Sequence, residues 1–270
     1  PLTPPATVAV VGPGLIGRIY AASLAAAGHT VTLCGRTARD AGEVATRDGN
    51  RYPVPGPIHT DPASVTGPVD WLLVATKAHQ TAAAQPWFDV LAGPGTRVVV
   101  LQNGVEHRER LAPLLRPGTP VVPAVVWDWA EEGGPGQVDL RGESRLCVPD
   151  DEHGQALAEL LAGGFSHIEP TADFTTEAWR KLLANAVAGL LVPTNRRYVI
   201  FRLPAMRDLA RRLSEEIVAV ARAEGAALGP EDVDTLASRL AQIPPDAGTS
   251  IFYDREANRP LEWDARNAVI

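Results

Sequence analysis

Two kinds of pattern divide this sequence of 270 residues. Together they predict an α/β protein: a parallel-sheet domain over residues 1–171, followed by an all-helical domain over residues 172–270. The first observation is an almost wholly apolar run from Thr7 to Val11, the composition of a strand buried on both faces. GPGLIG and the helical pattern RIYAASLAAAGH follow at once, the order of a Rossmann-type dinucleotide-binding unit. The second is a pair of later apolar runs, residues 69–77 and 96–104, each ending in polar residues. The third is the helical pattern of the last third of the chain, strongly amphipathic in MRDLARRLSEEIVAVARAEG.

Each element has a chemical reason. Gly12 permits the tight turn after the first strand, Gly14 lets a pyrophosphate approach the backbone, and Gly17 allows the helix to pack on the strand. With Leu15 and Ile16 they form the expected cofactor loop, where free amides and the helix dipole receive the anion. The second strand ends in Leu33, Cys34, Gly35, Arg36 and Thr37, with no acid to accept from ribose hydroxyls. Arg36 instead suits a 2′-phosphate, because a guanidinium fork matches phosphate geometry, and Arg39 is placed to assist. NADP(H) is therefore the expected cofactor. Lys77 and Asn103, the latter followed by Gly104, fall at the carboxyl ends of the two later strands, where open parallel sheets carry their ligands.

Beyond residue 118, PVVPAVVWDWAEE and QVDLRGESRLCV flank the turn signal GGPG and predict a hairpin or an antiparallel extension of the sheet. A short helix near residues 152–162 and a strand near 167–169 close the first domain. EAWRKLLANAVAGLL, residues 177–191, then reads as one long helix capped by Thr171 or Asp173. Residues four apart share a helix face, so Lys181 and Asn185 project together, with Leu182, Leu183, Val187, Leu190 and Leu191 covering the rest. Helices over 204–225 and 230–240 follow.

Composition bounds the function. Hydrophobic residues at 45% and charged residues at 21% are an ordinary globular balance. The net charge of −7 argues against nucleic acid or an anionic membrane as the main partner. Cys34 and Cys147 stand in neither a CxxC nor a metal-ligand spacing, and the six histidines are scattered, so no disulfide framework and no metal site is expected. No stretch approaches the roughly 18 apolar residues of a membrane span and no signal peptide precedes the fold, which makes the expected location cytoplasmic. The chain opens at Pro1 and stops at Ile270 within a helical pattern, so a longer natural chain is expected.

The order of these features resembles the ketopantoate reductases (2-dehydropantoate 2-reductases) over almost the whole chain. The carrying motifs are GPGLIG, ATK ending at Lys77, LQNG with Asn103, WRKLLANA with Lys181 and Asn185, and TSIFYDREANRPLEWDARN, in which Ser250, Asp254 and Glu262 stand at the family's spacing. The resemblance implies hydride transfer from NADPH to a 2-oxo acid, most simply ketopantoate in pantothenate synthesis, with Lys181 giving the proton. It further implies that Asn103 and Asn185 orient the substrate, that Ser250 helps hold its carboxylate, and that Glu262 accepts from a substrate hydroxyl. A ketone oxygen gaining charge needs such a donor, and an ammonium both stabilises the charge and can release a proton.

Lys181 and Glu262 are thus the candidate catalytic residues, and Asn103, Asn185 and Ser250 the candidate substrate-binding ones. Gly12, Gly14, Leu15, Ile16, Gly17, Arg36, Lys77 and Asn103 are the candidate cofactor-binding set. One residue departs from the family's pattern: Gly189 stands where asparagine usually recurs one turn after Asn185. The segment Trp127–Trp129 is also unlike the small and polar residues expected there. Two alternatives therefore stand beside the first reading: a paralogous reductase with a wider pocket for another 2-oxo acid or carbonyl, and a non-catalytic NADP(H)-binding sensor. The helical domain is also compatible with a homodimer.

Overall fold

Strand β1 (Thr7–Val11) runs into helix α1 (Leu15–Ala26) and returns as β2 (Thr30–Cys34) in the computed structural model, which describes residues 4–270. Two short strands, β3 (Glu43–Ala45) and β4 (Arg51–Pro53), precede β5 (Ile58–His59). They are followed by β6 (Trp71–Val74), α2 (Gln85–Leu91), β7 (Arg97–Val100), α3 (His107–Leu111) and β8 (Val121–Pro123). Then come β9 (Val125–Val126), β10 (Ala130–Gly134), β11 (Gln137–Leu140), β12 (Ser144–Pro149), α4 (Glu152–Leu161) and β13 (Ser166–Thr171).

Six of these strands form one parallel sheet in the order β5-β2-β1-β6-β7-β8. The chain winds outward from β1 in one direction and resumes beside β1 in the other. That reversal between β1 and β6 is where open α/β sheets leave a crevice at the strands' carboxyl ends. The apolar runs have the composition they need: Val8–Val11, Leu72–Val74 and Val98–Val100 are each 2% exposed or less.

The hairpin forms where GGPG marks it, β10 against β11, but it does not extend the main sheet. It joins β3 and β4 in a separate four-stranded sheet ordered β10-β11-β3-β4. The junction is a backbone-to-backbone approach: Gly42 has φ of +74°, and a β-carbon there would strike the Gly136 carbonyl. A third sheet, β13-β12-β9, packs α4 on its edge strand β13. Cys34 and Cys147 are both buried thiols, and burial pushes Cys34 up to about 12.

Residues 1–102 with 106–174 make one compact unit, and residues 103–105 with 175–270 make the other. The second unit is helical: α5 (Phe174–Ala188), α6 (Leu191–Thr194), α7 (Pro204–Ala223), α8 (Pro230–Gln242) and α9 (Ser250–Glu256), followed by a π turn at Asp264–Ala268. Helix α5 starts directly after Asp173 and ends at Ala188, so Leu190 and Leu191 lie beyond it. Gly189, which favours helix ends, separates it from α6. Its buried face, Trp179, Leu182, Leu183, Ala186 and Val187, shares a core with Ile217 and Ala221 of α7 and Val233 and Leu236 of α8. Each large apolar side chain buried there contributes about 1.5–3 kcal/mol. Asp232 fixes the start of α8 by accepting from the Gly229 amide at 2.9 Å and also pairs with Arg180 of α5 at 3.0 Å. Among the described residues no helix is long and apolar enough to cross a membrane.

Candidate active site

The three glycines of the loop after β1 differ in what surrounds them. A β-carbon on Gly12, whose φ is +95°, would lie 2.6 Å from the Thr76 amide nitrogen, and one on Gly17 would strike the Gly12 carbonyl oxygen. Gly14, by contrast, has no protein atom within 4 Å of that position. The outer glycines are thus demanded by packing, and the middle one faces open space. Helix α1 starts with no side-chain cap and no acid in its first turn, which leaves the amides of Leu15, Ile16 and Gly17 as anion donors. The residues present therefore fit a dinucleotide pyrophosphate.

Behind this loop stands Arg18, 1% exposed, whose guanidinium donates to the carbonyls of Gly14 and Gly136 and pairs with Glu132 at 3.1 Å. It ties the loop to the β10–β11 hairpin. Nothing in the sequence pattern singled it out, because an arginine in a first helical turn ordinarily faces water. At the end of β2, Arg36 is exposed, while Arg39 donates to the Pro13 carbonyl at 2.9 Å and so is anchored to the loop.

Lys77 follows β6 and opens a short 3₁₀ turn, Ala78–Gln80. Its approach is fixed by Gln102, whose side-chain amide donates to Thr76 O and Thr76 Oγ1 at 2.9 Å and to Thr81 Oγ1 at 2.8 Å. The Gln102 carbonyl in turn meets a ring nitrogen of His107 at 2.9 Å. Burial holds the His107 pKa below its ordinary value, and because a carbonyl only accepts, the ring nitrogen donates this bond. Gln102 and His107 brace the segment before Lys77, which the sequence conceals, since their partners are more than twenty residues away or lie on the backbone.

In the helical unit, Asn185 donates from Nδ2 to Asn103 Oδ1 at 3.0 Å. Lys181 lies one turn earlier on α5 and is half-buried. Ser250, exposed at the start of α9, accepts from Arg266 Nη1 at 3.0 Å, and Arg266 Nη2 donates to the Asn185 carbonyl at 3.1 Å. Asn103, Asn185 and Ser250 are thereby joined in one chain of contacts, with Arg266 as the link that sequence reasoning missed. Glu262 is 3% exposed, and its charge opposes the burial that lowers the pKa of Arg266. Asp254 is buried as well, 3.6 Å from Arg259. Among the described residues no group of three or more His, Cys, Asp or Glu is placed to hold a metal ion.

The structure also shows what lies beside Gly189. A β-carbon there would lie 3.0 Å from Asn267 Oδ1, and Asn267 Nδ2 donates to the Ala186 carbonyl at 3.1 Å. Asn267 therefore fills the space beside Gly189. Restoring asparagine with Gly189→Asn is expected to displace it and to destabilise by about 1–3 kcal/mol, the usual scale of overpacking. At about 2–4 °C per kcal/mol, a thermal melt reads this as a fall of several degrees; an unchanged Tm would show that the site accommodates both amides.

A parallel sheet with this glycine loop at its reversal, joined to a helical unit carrying a lysine and an asparagine on successive turns, defines an oxidoreductase that uses a nicotinamide dinucleotide. More particularly, the chain belongs to the ketopantoate reductase family: the family model Ketopantoate reductase PanE/ApbA matches residues 8–152, and its C-terminal companion matches residues 173–270. It is 48% identical to 2-dehydropantoate 2-reductase of Mycobacterium tuberculosis H37Rv, over 97% of this chain and 89% of that protein. To the enzyme of the same name from Caulobacter vibrioides it is 39% identical, over 98% and 90%. Among solved structures, a dimeric ketopantoate reductase from Staphylococcus aureus matches with a TM-score of 0.85 at 26% identity, covering 97% of this chain and 89% of that one.

Proposed function

We propose that this protein uses NADPH to reduce a 2-oxo acid to a 2-hydroxy acid, most simply 2-dehydropantoate to pantoate. The observation that carries the reading is the linked set Asn103, Asn185 and Ser250 with Lys181 one turn from Asn185. The names of the 48% and 39% identical relatives support it. In this reading the first unit is the dinucleotide domain and the second the substrate domain.

Bound NADPH supplies the hydride. As the keto carbon gains it, the carbonyl electron pair moves onto oxygen, and the Lys181 ammonium stabilises that charge and transfers its proton to it. With Asn103 Oδ1 engaged by Asn185, the Asn103 amide nitrogen is left to donate to the substrate, and Asn185 Oδ1 to accept from it. The Ser250 hydroxyl donates to the carboxylate, and Glu262 accepts from the substrate hydroxyl. The likeness to the dimeric S. aureus enzyme, with exposed Val199, Leu203 and Leu209 at and near the start of α7, supports a homodimer.

NADPH rather than NADH is supported by Arg36, exposed at the end of a β2 that offers no acid to the ribose. Arg36→Ala is expected to raise the NADPH KM about 10- to 100-fold, the worth of a charge-assisted hydrogen bond, and to leave the NADH KM nearly unchanged. Equal changes for both cofactors would remove Arg36 from that role. The experiment that tests the whole reading follows NADPH oxidation with ketopantoate beside a panel of other 2-oxo acids. Selective ketopantoate turnover is expected. Turnover of another acid alone would shift the substrate, and NADPH binding without any turnover would leave a sensor.

A further inference from the structure

Arg266 is a guanidinium, five donors and no acceptor, held at 1% exposure. Placing such a cation out of water is costly unless its surroundings compensate it, so its position requires a reason. Glu262 and Asp254, at 3% and 5% exposure, supply compensating charge. The nitrogens that bond, however, both engage neutral oxygens, Ser250 Oγ and the Asn185 carbonyl, and the buried Nε has no partner.

The bond to Ser250 has a chemical consequence. A hydroxyl has one proton, and an oxygen that accepts from a guanidinium must direct that proton elsewhere. The cation also polarises the O–H bond and makes it a stronger donor. Ser250 is exposed, so the proton is offered where a ligand can take it. The group that fits is an anionic acceptor.

The same turn holds the rest of the set. From Asp264–Ala268, Arg266 grips α5 at Asn185, Asn267 grips it at Ala186, and the Ala265 carbonyl lies so near Gly104, whose φ is +114°, that a β-carbon there would be 3.2 Å away. One turn thus fixes Ser250 relative to both Asn185 and the Asn103 segment.

We propose that Arg266 is the positioning residue for the substrate's carboxylate: it fixes the Ser250 hydroxyl as a donor and thereby gives the site its preference for an anionic 2-oxo acid. This rests on the proposed 2-oxo acid reduction. The test is a double-mutant cycle with Arg266→Lys, Ser250→Ala and both together, reading kcat, KM for the acid, and the Kd of NADPH. Lysine keeps the charge, and with it the fold, but its single ammonium cannot reproduce the guanidinium fork that reaches both oxygens.

Each single variant is expected to raise KM about tenfold, with kcat within about threefold and NADPH binding unchanged. The double variant should be no worse than the weaker single one, because the two residues act as a unit. Arg266→Met, which also removes the charge, should raise KM no further than Ser250→Ala does; if it does not fold, the lysine cycle decides. Multiplying losses, an unchanged KM in Arg266→Lys, or a loss confined to kcat would overturn the proposal. A wild-type protein that reduces no 2-oxo acid would overturn the functional reading and this inference with it, whereas wild-type turnover with independent losses overturns the inference alone.

Discussion

Replacing Lys181 by alanine is expected to lower turnover of the 2-oxo acid by about 10²- to 10⁴-fold, the scale on which a general acid contributes, and to leave the Kd of NADPH unchanged. The two halves of this result have separate causes. In the proposed reaction the ammonium acts on charge that exists only as the keto oxygen becomes an alkoxide, so its loss should fall on the chemical step. The glycine loop and Arg36 belong to the other compact unit and keep their own contacts. Helix α5 survives the change, because its core face is Trp179, Leu182, Leu183, Ala186 and Val187 and because alanine is the better helix former. Lys181→Arg separates charge from proton. An arginine stabilises the alkoxide but does not release a proton near neutral pH, so its rate should fall between those of alanine and wild type. Single-turnover NADPH oxidation measures the step, and fluorescence titration measures binding. Unchanged turnover in the alanine variant would remove Lys181 from the mechanism.

What the sequence could announce was local. The strand, glycine loop and helix of residues 7–26 are contiguous, so the pattern is read directly. Lys181 and Asn185 are four apart on one helix, and the period itself predicts their common face. The pairing of β11 with β3 was hidden, because strands of three or four residues carry no periodicity and the partners lie some ninety positions apart. The link through Arg266 was hidden for the same reason: its contacts reach Ser250, 16 residues back, and Asn185, 81 back. At Gly189 the sequence shows a missing side chain but not its neighbours. Read alone it suggests a wider pocket, and only the fold brings Asn267 into that space.

The glycine loop separates a packing requirement from a ligand requirement, and two substitutions should show it. Gly12→Ala is expected to lower both stability and NADPH affinity. A positive φ costs a side-chain-bearing residue roughly 1–2 kcal/mol, and the new β-carbon meets the Thr76 amide nitrogen at 2.6 Å, a backbone atom that cannot turn aside. Moving the loop then displaces the amides at the start of α1, and the loss of one hydrogen bond to a charged group costs about 10- to 100-fold in affinity. Gly14→Ala behaves differently. Its φ of −76° suits any residue and no protein atom lies within 4 Å of the added carbon, so the melting temperature should stay at the wild-type value. If that open space is where the pyrophosphate approaches the backbone, the methyl group occupies it, and NADPH affinity falls on the same scale as for Gly12→Ala. A thermal melt and an NADPH titration on each variant distinguish the cases. A Gly14→Ala protein that binds NADPH as tightly as wild type would mean that the anion sits elsewhere than on the amides of Leu15, Ile16 and Gly17.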